Sequence, residues 1–197
     1  MNDINTVITN KIYAKYDEKT IRVYQAYSDN IATQAVELQT FGDEFNMSRM
    51  TWIKPSFLWM MYRSGWASKD GQNRILGIDI KREAFETIVN QAVLSTYSKN
   101  NYTTKEEWQE HLKNSEVRCQ WDPDRDIYGN PIHRRAIQLG IKGSVVENYI
   151  NKWICNIEDI TQYVTELRKI IDNNKYDDFL LPKEREYIFS NSNINQT

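Results

Sequence analysis

Between residues 49 and 82 the sequence interleaves cations with large rings. Arg49, Lys54, Arg63, Lys69, Arg74, Lys81 and Arg82 stand against only Asp70 and Asp79, and Trp52, Trp59, Tyr62 and Trp66 fall among them. Cations neutralise phosphates and flat rings stack on bases, so this composition suits a dinucleotide or a nucleic acid. A buried aromatic helix flanked by solvated charges has the same composition, and that reading assigns every tryptophan to the core. Trp59 and Tyr62 are one helical turn apart, so on a helix these two rings share a face.

Other chemistries find less support. The two histidines, His111 and His133, are too few for a histidine-based metal site, and no metal is expected. In WDPDRDIYG the carboxylates of Asp122, Asp124 and Asp126 imitate the first half of a calcium loop. The required glycine is replaced by Ile127 and the closing glutamate by His133. Cys119 and Cys155 have neither a disulfide framework nor a neighbouring histidine, and no nucleophile elbow, zinc helix or Walker loop is present. Gly140-Ile141-Lys142-Gly143 fits the four-residue loop that clamps single strands, and the helix start after it would welcome an anion.

These residues need elements to hold them. IRVYQAY (21–27) reads as a strand, and Ser28 caps a helix with Ile31, Ala35 and Leu38 inward. RMTWI (49–53) is a second strand. Pro55 opens a helix over 55–64 that is apolar on nearly every side and therefore internal. RILGIDI (74–80) is a buried strand, and 82–95 has helical spacing. Thr104 and Glu107 form a capping box for a helix over 103–113, and EVRCQW (116–121) alternates as a strand. A loop is expected over 122–133, then the strand HRRAIQLGI (133–141). A second capping box, Ser144 to Glu147, starts a helix through Trp153, and a last helix covers 160–172. Short mixed strands without a βαβ rhythm point to the α+β class.

The length of 197 residues, with 40% apolar and 26% charged side chains, suits one globular domain. A lead-in over 1–19, a domain over 20–175 and a mobile tail over 176–197 are expected. The longest apolar run, Phe57 to Tyr62, is too short to cross a bilayer, and the first residues lack the apolar stretch of an export sequence. The expected location is the cytoplasm, with no membrane partner.

Three blocks carry a resemblance: RMTWIKPSFLWMMYRSGWASKDGQNRILGIDI (49–80), VYQAYSDNIATQAV (23–36) and VRCQWDPDRD…RRAIQLGIKG (117–143). Over about residues 20–170 the chain resembles an uncharacterised bacterial and fungal family known as domain of unknown function 4291. More remotely its layout is similar to the ADP-ribosyltransferase fold, in which a strand of the type [LV]-Y-[HR]-G-[ST] precedes a helix, as VYQAYS does here. That likeness implies a split mixed or antiparallel sheet with flanking helices. It places Gln25 where a His or Arg would hold NAD, Ala26 in place of a glycine, and Thr51 or Trp52 at the second motif. Gln120 or Gln138 falls at the third motif, where a carboxylate would stabilise an oxocarbenium-like ribose. A glutamine keeps the hydrogen bond and loses the charge, which Asp122, on the same face as Gln120, would restore.

The reading implied is an ADP-ribosyltransferase-like protein that binds NAD, or another nucleotide, in a cleft. Trp52 or Tyr62 would stack on nicotinamide, and Gln25 and Tyr27 would line the pocket. Arg49, Lys54 and Arg63 would meet the pyrophosphate, with Gln120, Asp122 or Gln138 at the ribose and a protein or nucleic acid as acceptor. Two alternatives stay open. One is a non-catalytic module for RNA or single-stranded DNA; the other is a structural or adaptor protein.

Overall fold

The computed structural model describes residues 10–190. Its first sheet is antiparallel, with β2 (Thr20–Tyr27), β4 (Arg74–Lys81) and β8 (Ile154–Asp159) in the order β2-β4-β8. The second has the order β3-β7-β6-β5, from β3 (Thr51–Ile53), β7 (Pro131–Ile141), β6 (Val117–Arg125) and β5 (Val93–Leu94). Within it only the β5–β6 pair is parallel. Among the described residues six α-helices flank the sheets: α1 (Asp29–Leu38), α2 (Phe57–Ser64), α3 (Arg82–Gln91), α4 (Lys105–Asn114), α5 (Ser144–Asn148) and α6 (Thr161–Asp172). The molecule is therefore α+β, with open mixed and antiparallel sheets.

The central strand β4 is buried from Ile75 to Ile78 and again at Ile80, and its second face also carries Asp79. Leu76, Ile78 and Ile80 enter one core with Val23, Phe85 and Ile88, while Ile75 enters a second with Tyr24, Phe57, Met61 and Val164. Each such fully buried side chain contributes roughly 1.5–3 kcal/mol. Among the described residues the two sheets meet at one backbone bridge, where the Tyr24 N–H donates to the Lys54 carbonyl at 2.7 Å. Beyond that bridge the sheets diverge, and the gap becomes a cleft.

Several expectations change. Outside 20–175, β1 (Tyr13–Ala14) pairs with β9 (Arg185–Glu186), and Ile12, Ala14 and Tyr187 are buried. The described parts of the expected lead-in and mobile tail thus pack on the domain, one holding the other. The loop expected over 122–133 is mostly strand, because β6 runs on to Arg125 through an irregularity at Pro123 and β7 begins at Pro131. Helix α2 starts after Ser56, not at Pro55. On α1 the buried positions are Ala32 and Ala35, while Leu38 is 55% exposed and the Ser28 hydroxyl makes no capping bond. Strand β8 has no counterpart among the expected elements. It is an edge strand whose only buried residue is Ile157, so its pattern is nearly silent.

The second capping box is not formed. Ser144 donates its backbone N–H to Glu116 Oε1 at 3.0 Å and its hydroxyl to Glu116 Oε2 at 2.6 Å. Glu116 is the anion at that helix start, and a Cβ on Gly143 would collide with it. The Gly140–Gly143 loop is therefore closed by the protein's own carboxylate. A π-helical turn, Tyr149–Trp153, continues α5 and carries Tyr149 into the core.

Candidate functional site

The cleft at the sheet junction holds about 580 Å³, within the range of about 300–1,000 Å³ usual for small-molecule sites. Its lining comes from both halves of the chain: Gln25 and Tyr27 from β2, Thr51 and Trp52 from β3, Trp59 and Arg63 from α2, and Gln120, Asp122 and Gln138 from β6 and β7. Lys54, just beyond β3, lines it as well.

The inner wall is a clamp between β2 and β3. Gln25 Nε2 donates to Thr51 Oγ1 at 2.7 Å and to Tyr27 Oη at 2.8 Å, with the Trp52 carbonyl at 3.3 Å. Tyr27 Oη and Thr51 Oγ1 bond each other at 2.9 Å. From below, the fully buried Tyr149 donates its hydroxyl to Gln25 Oε1 at 2.9 Å. Burial pushes the hydroxyls of Tyr27 and Tyr149 above the usual phenol range, so both keep their hydrogens.

The floor is short of partners. Lys54, 6% exposed, donates to one acceptor, the Trp52 carbonyl at 3.3 Å. Burial first, and Arg63 second, lower its ammonium to about 8, against the opposing pull of Asp122. Trp59 is 7% exposed and its indole N–H has no partner among the described residues. Helix α2 is fixed over this floor at its N-terminus. There Ser56 Oγ accepts the backbone N–H of Trp59 and donates to Asp124 Oδ1 at 2.8 Å, and Glu184 Oε1 accepts the backbone N–H of Phe57 at 2.6 Å.

The outer wall has the opposite polarity. Gln120 and Gln138 are cross-strand partners, and their amides donate to the two Asp122 oxygens at 2.9 and 2.6 Å. The Asp122 carboxylate is held between two neutral amides with lone pairs left over. Trp52 lies over Gly140, its partner on β7. A Cβ there would come within 2.6 Å of Met50 Sδ and 3.0 Å of the Trp52 ring, so a glycine is needed for the indole to lie flat against the sheet.

Of the residues expected in the site, Gln25, Tyr27, Thr51, Trp52, Lys54, Arg63, Gln120, Asp122 and Gln138 all border this one cleft. Two do not. Arg49 is exposed in the loop before β3, outside the lining. Tyr62, 43% exposed, stacks on the outer side of Trp59 and carries the Arg125 guanidinium 3.9 Å above its ring. Both glutamine-bearing strands face the cleft, because β6 and β7 bring Gln120 and Gln138 side by side. Gln25 is nearly saturated by its own neighbours and acts as a clamp more than as a ligand contact. Asp122, Asp124 and Asp126 part company: the first faces the cleft, the second bonds Ser56 and Arg134, and the third accepts from the Tyr128 and Asn130 N–H groups of the hairpin. Gln72, Met50 and Tyr149 were not foreseen; no local pattern in the sequence marks any of them.

Fold and site together define an α+β protein with a polar, aromatic-walled cleft between two sheets. The chain belongs to the family described as domain of unknown function (DUF4291), which matches residues 11–187. Neither the curated proteins nor the solved structures contain a match to it. Among the described residues no helix is long and apolar enough to cross a membrane.

Proposed function

We propose that the cleft binds a dinucleotide of the NAD class and supports ADP-ribosyl transfer. One observation carries the reading: a sparsely bonded cation lies on the floor and an oriented carboxylate on the outer wall. Lys54 and Arg63 suit the pyrophosphate oxygens, and Trp52 offers a flat face for nicotinamide. Asp122, with Gln120 and Gln138, suits the hydroxyls of the adjoining ribose. Nicotinamide would leave with the electron pair of its bond to ribose C1′. Positive charge developing on the ribose would be stabilised by Asp122, already oriented and needing no reorganisation. The acceptor, a protein or nucleic-acid oxygen or nitrogen, would bond C1′ and give up its proton.

Nicotinamide release from NAD tests this. Asp122→Asn keeps the shape and removes the charge, one of the two glutamine amides turning over to accept from the new NH2, and should slow release by roughly 10²–10³-fold with little change in NAD affinity. Equal losses in rate and binding would remove Asp122 from the chemistry. A steep salt dependence for single strands, with no response to NAD, would favour the nucleic-acid module instead.

A further inference from the structure

Lys54 is the one buried lysine among the described residues; the others are exposed or half-buried. It sits on the cleft floor just past the end of β3, and its one hydrogen bond among the described residues runs to the Trp52 carbonyl at 3.3 Å. The carboxylate of this cleft, Asp122, is instead engaged by the amides of Gln120 and Gln138 on the outer wall. Burial, and after it the charge of Arg63 on α2, outweigh Asp122 on β6 and bring the Lys54 ammonium down to about 8. Against an ordinary lysine, roughly 10²-fold more of it is free amine near neutral pH. The neutral amine can still donate to the Trp52 carbonyl, and its lone pair then carries no proton.

An unprotonated amine in the wall of a cavity is a nucleophile toward carbonyl carbon, the use to which buried lysines are suited. We propose that Lys54 forms a reversible imine with an aldehyde that carries a phosphate group and enters the same cleft. Arg63 offers the planar, two-pronged donor that fits a phosphate, and the Trp52 ring offers a face for a flat body between the two ends. In the step Nζ bonds to the carbonyl carbon, the two amine hydrogens leave with the carbonyl oxygen as water, and a C=N bond remains. Nothing is oxidised or reduced, and water reverses it. The step uses Lys54 and Arg63 and does not rest on the NAD reading, although both ligands would occupy one space of about 580 Å³.

The test treats the full chain with limiting pyridoxal phosphate, or with pyridoxal, which lacks the phosphate. Borohydride then reduces any imine to a stable amine, and peptide mass spectrometry maps the labelled lysines. Lys54 should carry most of the label, although every other described lysine is more accessible. Pyridoxal phosphate should label it about tenfold better than pyridoxal, the worth of one charge-assisted bond, and Arg63→Gln should bring that ratio close to one. The ratio is the readout because loss of Arg63 also lets the amine hold its proton more tightly, which slows both aldehydes alike. Label confined to the exposed lysines, or equal labelling of Lys54 by the two aldehydes in the wild type, overturns the proposal. Excess NAD should protect Lys54. Phosphate-dependent labelling of Lys54 that NAD leaves unchanged upholds this proposal and counts against the NAD reading, whereas NAD binding with Lys54 unlabelled does the reverse.

Discussion

Arg22 and Lys54 are two cations buried to nearly the same degree, 9% and 6% exposed, and they are treated in opposite ways. Arg22 makes a bidentate pair with Asp79 at 2.8 and 2.6 Å and a third bond to Glu158 at 2.6 Å. The Asp79 hydrogen bonds, against burial, hold its guanidinium above even the usual arginine range. Lys54 has one long bond to a backbone carbonyl and a proton it holds weakly. A buried cation is costly unless it is paired, so an unpaired one persists only if something other than stability retains it. The saturated cluster ties β2 to β4 and β8; the unsaturated one waits on the cleft floor.

The contrast breaks most sharply at Arg22. Arg22→Ala strands Asp79 and should cost about 3 kcal/mol in urea unfolding, the low end for a buried pair because Glu158 is half exposed. Lys54→Met should do the reverse. It removes an unpaired buried charge, so stability should hold or rise, while NAD affinity should fall about tenfold with the loss of a charged donor. A Lys54→Met protein that unfolds like Arg22→Ala would put both cations in one structural class. Gly140→Ala should cost about 1–3 kcal/mol by overpacking against Met50 and Trp52 and weaken binding as the indole is displaced.

A subtler separation comes from pH. Burial raises the Glu184 carboxyl from 4.5 to about 8, so its contribution to stability is fully present below about 4.5 and is lost as pH climbs toward 8. Lys54 is lowered from 10.5 to about 8, so the penalty for its buried charge stands below about 8 and is relieved as pH rises toward 10.5. The two contributions slope in opposite directions and meet near pH 8. Glu184→Gln should flatten the acid side of the stability profile and leave the alkaline side, measured by chemical unfolding across pH 4–10. The smallest effect belongs to Arg49→Ala, which should change stability by no more than about 0.5 kcal/mol and leave NAD affinity as it was.

Much of the cleft was legible because its walls are local. Gln25 and Tyr27 share one strand face, Gln120 and Asp122 another, and a period of two places them without any tertiary knowledge. Trp59 and Tyr62 show where that reasoning ends: they stack face to face, and only the path of α2 decides that one borders the cleft and the other faces solvent. Arg49 was drawn into the site by its charge, although the chain turns inward only at β3. The supports of the site were invisible for a different reason. Tyr149 reaches Gln25 across 124 positions and Glu184 reaches Phe57 across 127, and no periodicity spans such distances. Glu184 lay in a segment expected to be mobile, yet it caps the helix that floors the cleft.

Calorimetric titration of NAD into the wild type and into Lys54→Met puts the meaning of that unpartnered ammonium to the most direct trial. Saturable binding to the wild type, weakened about tenfold in a variant that unfolds at the same or higher urea concentration, is the expected result. Identical affinity in both proteins, or no heat from either, would contradict it.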